Sequence, residues 1–187
     1  NACPSFHATA QEISIEATPE SVSPERAAAW LDLGIRRVSL GVQSFDAGEI
    51  AATRRHNLPD VSRQALEILR TAGIPNVCCD LMYGLDGQTL ASWEASVRAL
   101  VSERPETIEL YAAVPIPGTA FARRSLVSRL SLAERVRAYG LARELLLDAG
   151  YAQDCHLRFI LPGRGGYRQQ ENVFHGQSLI GFGVSAR

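Results

Sequence analysis

The chain has 187 residues, of which 46% are hydrophobic and 21% are charged, a composition that is ordinary for one soluble globular domain. Its formal net charge of −1 at pH 7 removes the electrostatic basis for binding nucleic acid or a membrane surface. No apolar run approaches the roughly 18 residues of a transmembrane helix, and no signal-peptide pattern opens the chain. We therefore expect a cytoplasmic protein that neither binds nucleic acid nor spans a membrane.

Strand and helix patterns alternate along the chain. Strands are predicted at 12–17, 37–42, 77–81 and 107–113, with a weaker one at 152–159. Helices are predicted after the N-cap pair Ser23-Pro24, over about 60–73, after the N-cap Thr89, and after a capping box at 131–134, whose long helix ends at Gly150. This repetition predicts an α/β fold with a parallel sheet, and we find no second domain boundary.

Polar residues end the predicted strands. Glu16 ends EISIEA, Gln43 ends VSLGVQ, Asp80 ends the apolar VCCD, and a turn follows LYAAV at Val114. Parallel strands leave their carboxyl ends on one face, so we expect these positions to converge on one pocket, as in an α/β barrel. The chain is short for a closed eight-unit barrel, which takes about 250 residues.

The residue types at these positions suit a small polar ligand. The carboxylates of Glu16 and Asp80 can accept hydrogen bonds from hydroxyl or ammonium groups, and the Gln43 amide both donates and accepts. Arg55, in the Arg54-Arg55-His56 run, suits bidentate capture of a carboxylate or phosphate. Each position also has a plain structural interpretation as a rim ion pair, a turn cap or a solvated charge. Together they predict a ligand with hydroxyl groups and a carboxylate.

The cysteines and histidines carry no metal-site spacing. The four cysteines include neither a CxxC nor a CxxxCxxC, and the adjacent Cys78 and Cys79 must point to opposite faces of a strand. The four histidines are scattered. The sequence begins at Asn1 rather than Met with the weakly structured segment NACPSFHATA, and it stops at Arg187 within an apolar stretch punctuated by glycines. We interpret the chain as a fragment of a longer protein.

Several motifs resemble the radical S-adenosylmethionine family of oxygen-independent coproporphyrinogen III oxidases and their haem-chaperone relatives. The matching segments are EISIEATPES, GIRRVSLGVQSF, RRHN, DLMYGLDGQT, the PGT of VPIPGTAFARR, and GFGVSA. The resemblance implies an incomplete TIM-type (β/α) barrel that lacks its amino-terminal part, with βα units over about 12–160 and the start of a substrate-side region at 161–187, all in a single domain over 1–187. It also implies S-adenosylmethionine and a [4Fe–4S] cluster as cofactors, with the cluster's cysteines outside this sequence.

The resemblance assigns a role to five positions. Arg55 would pair with the methionine carboxylate, Glu16, Gln43 and Asp80 would take the amino group and ribose hydroxyls, and Val114 would offer its backbone to the adenine. In such an enzyme the bound cofactors yield a 5′-deoxyadenosyl radical that abstracts a substrate hydrogen. A small-molecule substrate such as a tetrapyrrole, and an electron donor for the cluster, are the implied partners.

Two departures and two alternatives leave the substrate open. Relatives commonly read EISNFA after the position of Tyr151 and NYW near that of Asn172, and this chain has neither. One alternative is a haem-binding chaperone of the same family, with His156, His175 or Cys155 as an axial ligand. The other is a divalent-metal TIM-barrel hydrolase that uses Glu16, Asp80 and His56.

Overall fold

The computed structural model describes residues 12–53, 55, 58–114, 131–178, 180–181 and 183. Its strands are β1 (Ser14–Ala17), β2 (Arg37–Gln43), β3 (Asn76–Tyr83), β4 (Thr107–Ala112), β5 (Ala152–Gln153) and β6 (Arg158–Ile160). Its helices are α1 (Pro24–Asp32), α2 (Ala47–Ala52), α3 (Pro59–Ala72), α4 (Leu90–Glu103), α5 (Leu132–Asp148) and α6 (Arg168–Phe174), with a 3-10 turn at Pro19–Ser21. The described strands form one sheet in the order β1-β2-β3-β4-β6-β5.

Strands β1 to β4 are parallel, and each pairs with its successor in the chain. Helix α1 connects β1 to β2, helices α2 and α3 connect β2 to β3, and α4 connects β3 to β4. Parallel neighbours need such crossover connections. The predicted α/β fold is confirmed, and the carboxyl ends of the four strands lie along one edge of the sheet.

The predicted helix starts are also confirmed. The Ser23 side chain accepts a hydrogen bond from the Arg26 backbone N–H over 3.3 Å at the start of α1. Thr89 and Ser131 are the N-caps of α4 and α5, each with a reciprocal capping box. These caps satisfy backbone donors that a helix leaves unpaired in its first turn.

The two faces of the sheet differ in polarity. The face toward the helices is the hydrophobic core, whose strand members are Val38, Leu40, Val42, Val77, Cys79, Leu81, Ile108, Leu110 and Phe159. The opposite face, which we call the inner face, carries Arg37, Ser39, Cys78, Asp80, Thr107, Glu109 and Arg158, which the strand register aligns. In a closed (β/α) barrel the corresponding face lines the interior. The polar residues of this sheet therefore lie on the side that would face the barrel interior.

The prediction of one strand at 152–159 is wrong. The segment forms two short strands, β5 and β6, that pair antiparallel with each other. Strand β6 lies between β4 and β5 and is antiparallel to β4. The Arg158 N–H donates to the Cys155 carbonyl oxygen over 3.3 Å, which closes the turn between them. The chain therefore reverses where a regular βα barrel would add another parallel strand.

The segment 161–174 covers the amino-terminal end of the inner face. Asn76 Nδ2 donates to the Gly166 carbonyl oxygen over 2.8 Å, and the Gly166 N–H donates to Thr107 Oγ1 over 3.2 Å. The Tyr167 ring lies over the guanidinium of Arg37, 3.8 Å from its Cζ atom. Among the described helices, none is both long and apolar enough to span a membrane.

Candidate functional site

Three of the predicted site residues gather around Gly41 in β2. Arg55 Nη1 donates a hydrogen bond to the Gly41 carbonyl oxygen over 3.0 Å. A Cβ atom placed on Gly41 would lie 2.9 Å from Gln43 Nε2 and 3.1 Å from Arg55 Nη1, so both side chains lie over this glycine. Gly41 pairs with Asp80 of β3, and paired strands are about 4.8 Å apart. The fold therefore brings an amide, a guanidinium and a carboxylate to one place on the inner face.

Gln43 occupies an unusual backbone conformation. Its φ is +71°, a value that residues other than glycine rarely adopt. The Ser44 N–H donates to the Val42 carbonyl oxygen over 2.9 Å, which makes residues 42–44 a γ-turn with positive φ, a rare and strained type. Such strain costs about 1–3 kcal/mol and persists only where the surroundings enforce it. The turn directs the Gln43 side chain back over Gly41.

Asp80 lies inside β3 and not at its end, so the predicted strand boundary at 81 is wrong. Strand β3 continues to Tyr83 because Leu81, Met82 and Tyr83 keep pairing with β4. The alternation of the strand places Asp80 on the inner face, where a polar side chain does not interrupt the core. In the register of the sheet, Asp80 pairs with Gly41 of β2 on one side and with Glu109 of β4 on the other.

Two neighbours on the inner face hold the Asp80 carboxylate. Ser39 Oγ donates to Asp80 Oδ1 over 3.3 Å, and Cys78 Sγ lies 3.7 Å from the same oxygen. Burial and the charge of Glu109 raise the pKa of Asp80 to about 7, against the opposing effect of Arg37. Asp80 therefore gains or loses its proton near neutral pH. The protonated carboxyl group can donate a hydrogen bond as well as accept one, whereas the carboxylate only accepts.

Glu16 and Val114 lie apart from the group around Gly41. Glu16 is the exposed third residue of β1 and pairs with Ser39, so it shares the inner face two residues before the level of Gly41. Val114 is 59% exposed and lies two residues beyond the end of β4. The strands that carry or precede these residues are neighbouring and parallel as predicted, but Asp80 lies inside its strand and not at the carboxyl end. The contact of these residues with a ligand stays a prediction. Arg54 and His56, as well as the PGT segment and most of GFGVSA, lie outside the described residues.

A buried charged group that the sequence analysis missed lies next to Asp80. Glu109 Oε1 accepts a hydrogen bond from Arg158 Nε over 2.8 Å and lies 3.4 Å from Arg37 Nη2. Tyr111 donates its hydroxyl to Glu109 Oε2, and Tyr167 covers both guanidinium groups. The alternation of polar and apolar residues in TIELYA could have placed Glu109 on the polar face of its strand. It could not have identified the partners of Glu109, which lie 49 and 72 residues away in the sequence. Arg158 also pairs with Asp154 over 3.0 Å, so the two guanidinium groups are balanced by two carboxylates in this group.

The described cysteines do not fit an iron–sulfur cluster. Cys78 and Cys79 are fully buried on opposite faces of β3, and burial raises the pKa of both thiols far above the usual range. A cluster needs thiolates that converge on one point. Cys155 lies in the turn between β5 and β6, and the three thiols do not form a group of possible metal ligands among the described residues. These three residues therefore do not form the ligand set of a cluster.

The described residues also give little support to a divalent-metal site. Ligand atoms of Cys78, Asp80 and Glu109 lie within 4.8 Å of one another. The Glu109 carboxylate is, however, already paired with Arg37 and Arg158, whose charges oppose a cation. The hydrolase alternative also needs His56, which lies outside the described residues.

Comparisons with known sequences and structures identify the family. The model of the family described as the radical SAM superfamily matches residues 6–100. An oxygen-independent coproporphyrinogen III oxidase of Paracoccus denitrificans is 30% identical over 94% of this chain and 42% of its own length. The heme chaperone HemW of Synechocystis sp. is 31% identical over 92% of this chain and 42% of its own length. The chain thus spans less than half the length of these curated relatives.

A solved structure shares the fold. Coproporphyrinogen III oxidase (HemN) from Escherichia coli, described as a radical SAM enzyme, superposes with a TM-score of 0.77 at 22% sequence identity over 94% of this chain and 43% of that one. At this identity the likeness concerns the fold alone. The family model covers just over half of the chain, and the sheet and its crossovers have the corresponding architecture. The chain belongs to the radical SAM superfamily.

Proposed function

We propose that this chain forms the S-adenosylmethionine-binding part of a radical SAM oxidoreductase of the coproporphyrinogen III oxidase kind. The observation that carries the proposal is the convergence of Gln43, Arg55 and Asp80 around Gly41. The Arg55 guanidinium can bind a carboxylate, and the Gln43 amide and the Asp80 carboxylate can bind hydroxyl or ammonium groups. The absence of a side chain on Gly41 lets Gln43 and Arg55 lie over the strand. S-adenosylmethionine carries a carboxylate, an amino group and ribose hydroxyls.

Each side chain has a defined task in this proposal. One guanidinium nitrogen of Arg55 is anchored on the Gly41 carbonyl oxygen, and the remaining donors of the planar fork pair with the methionine carboxylate. Asp80 and Gln43 take ribose hydroxyls and the amino group together with Glu16 at the neighbouring strand, and the backbone at Val114 contacts the adenine. Arg55 and Asp80 thus bind opposite charges of one zwitterionic ligand.

The substrate chemistry comes from the cofactors. When bound, a [4Fe–4S] cluster that has received an electron from a donor and S-adenosylmethionine would supply the radical chemistry, with release of methionine, that removes a hydrogen atom from substrate. We place the cluster's cysteines in a CxxxCxxC motif outside this sequence, because the chain contains no such motif and its curated relatives are more than twice as long. The name of the Paracoccus denitrificans relative favours a tetrapyrrole substrate.

The test of the binding site is Arg55→Lys. Lysine keeps the charge but loses the fork that holds a carboxylate bidentately. Loss of a charge-assisted hydrogen bond costs about 1.5–3 kcal/mol, so the affinity for S-adenosylmethionine should fall roughly 10- to 150-fold. The measurement is isothermal calorimetry on the full-length protein after anaerobic reconstitution with iron and sulfide.

The matched control is Arg98→Lys on the outer surface of α4, where Arg98 pairs with Glu94. This variant should bind within about twofold of the wild type, since exposed ion pairs contribute little. Equal losses at both positions would mean that general positive charge, and not Arg55, attracts the ligand.

A haem-carrying protein of the same family is the second candidate. It is favoured by the similarity to the Synechocystis sp. heme chaperone, which matches as well as the oxidase does. Titration with haem, followed by visible absorbance, separates the two candidates. A stoichiometric haem complex without consumption of coproporphyrinogen III favours the chaperone, and turnover of coproporphyrinogen III favours the oxidase.

A further inference from the structure

Glu49 is a buried carboxylate outside both the hydrophobic core and the proposed ligand set. It lies in α2 and is 4% exposed. Its Oε2 atom accepts hydrogen bonds from Ser44 Oγ over 2.6 Å and from Gln88 Nε2 over 2.9 Å. Its Oε1 atom accepts one from Ser92 Oγ over 2.6 Å. A carboxylate only accepts hydrogen bonds, and three neutral donors from different segments meet on this one.

These contacts join the ends of two neighbouring strands. Ser44 directly follows β2, whereas Gln88 belongs to the loop after β3. Gln88 Oε1 accepts from the Gly84 N–H over 2.6 Å, and Gln88 Nε2 also donates to the Met82 carbonyl oxygen over 3.2 Å. Glu49 therefore connects the turn that holds Gln43 to the strand that holds Asp80.

The residues after the strained turn are held from several sides. Ser44 Oγ, besides donating to Glu49, accepts from the Asp46 N–H over 2.9 Å. The Phe45 N–H donates to Ser96 Oγ of α4 over 3.1 Å. Ser44 and Ser96 are almost completely buried. A positive-φ residue such as Gln43 keeps its conformation only when its surroundings enforce it, and this hydrogen-bonded group supplies that restraint.

We propose that Glu49 is a positioning residue that holds the Gln43 turn in its strained form and so preorganises the S-adenosylmethionine site. The proposal rests on the function proposed above. It assigns the Ser44 and Gln88 side chains of the QSF and GQT motifs to this restraint and not to ligand contact. Glu49 acts through Gln43 and does not touch the ligand.

The test is a double-mutant cycle on S-adenosylmethionine affinity in the reconstituted full-length protein. Gln43→Ala removes the hydrogen-bonding side chain and should weaken binding about 3- to 10-fold. Glu49→Ala should weaken it by a similar factor because the turn relaxes and the side chain of Gln43 leaves the site. The double variant should bind about as well as Gln43→Ala alone. Multiplied losses in the double variant would overturn the proposal.

Conservative variants separate positioning from a loss of folding. Glu49→Gln can place its amide oxygen toward Ser44 and Gln88 and donate its amide N–H to Ser92 Oγ, so its affinity should stay within about twofold of the wild type. Glu49→Asp is the milder disruption if Glu49→Ala does not fold, because its shorter side chain cannot reach all three donors. The surface variant Glu94→Ala is the control and should bind normally.

Amide hydrogen exchange provides a readout that needs no ligand. Glu49→Ala or Glu49→Asp should speed the exchange of the Ser44 and Gly84 amides more than tenfold, whereas the Leu110 amide of β4 should be unchanged, because the opening is local. Unchanged exchange at Ser44 and Gly84 would overturn the restraint itself. A wild-type protein that binds no S-adenosylmethionine would overturn the proposed function, and the exchange result would still decide whether Glu49 holds the turn.

Discussion

Replacing Gly41 by alanine should weaken S-adenosylmethionine binding while leaving the fold intact. The new Cβ atom would lie 2.9 Å from Gln43 Nε2, 3.1 Å from Arg55 Nη1 and 3.6 Å from Arg55 Nη2. The first two distances are shorter than ordinary contacts, so both side-chain ends must move. Gly41 lies in β2 outside the positive-φ region, so its backbone accommodates alanine. The substitution therefore acts on two proposed ligand contacts together.

The magnitude follows from what these contacts supply. A charge-assisted hydrogen bond from Arg55 is worth about 1.5–3 kcal/mol, which corresponds to a roughly 10- to 150-fold loss of affinity. Displacement of the Gln43 amide adds a further loss of about 0.5–1.5 kcal/mol. The free energy of unfolding should change by less than about 1 kcal/mol, since flexible side-chain ends move and alanine is favoured over glycine in regular structure.

The assay is calorimetry with S-adenosylmethionine on the reconstituted full-length protein, together with urea unfolding of the same variant. Gly140→Ala in α5 is the matched control, because a Cβ atom there meets nothing within 4 Å. It should stabilise the protein by about 0.5–1 kcal/mol and leave the affinity unchanged. If Gly41→Ala binds within twofold of the wild type, Gln43 and Arg55 do not contact the ligand and the site is wrongly placed.

Two further predictions concern stability. The raised pKa of Asp80, about 7 instead of 3.8, means that the folded state holds this proton more tightly than the unfolded chain, so the free energy of unfolding falls as the pH rises from about 4 to 7. The side chain introduced by Asp80→Asn does not titrate, so this variant does not lose stability in the same way. The free energy of unfolding of Asp80→Asn minus that of the wild type should increase by about 1–3 kcal/mol from pH 5 to pH 8, measured by urea unfolding. Gly165→Ala should lower the free energy of unfolding by about 1–3 kcal/mol in the same assay, because its Cβ atom would clash with the Glu106 carbonyl oxygen and lie 2.9 Å from Ile160 Cβ.

Each of these predictions has a surface control. Asp60→Asn on α3, whose carboxylate is almost fully exposed, should show no comparable change between the two pH values. A stability difference for Asp80→Asn that does not vary with pH would contradict the raised pKa. Gly140→Ala again serves as the control for Gly165→Ala, and equal stability of the two glycine variants would contradict the close approach at Gly165.

The local elements of this protein were predictable from its sequence. N-cap residues such as Ser23 and Thr89 act on backbone donors within three residues, so the starts of α1 and α4 can be read from a short window. The alternation of strands and helices predicts parallel pairing, because parallel strands require a crossover. The strand ends and residue types indicated Gln43, Asp80 and Arg55 as parts of a polar pocket, and the motif resemblance added S-adenosylmethionine as the ligand.

The tertiary structure decided the features that depend on partners distant in the chain. The pairing of Glu109 with Arg37 and Arg158, the antiparallel pairing of β6 with β4, and the hydrogen bonds from Gln88 and Ser92 to Glu49 join segments far apart in sequence. The strained turn at Gln43 contradicts the local preference of glutamine and exists only because its neighbours hold it. Local propensity acts over a few residues, whereas strand register and burial determine which distant side chains share a face. That is why the sequence by itself determined the elements and the polar strand ends, and only the packed sheet decided which of them form a site.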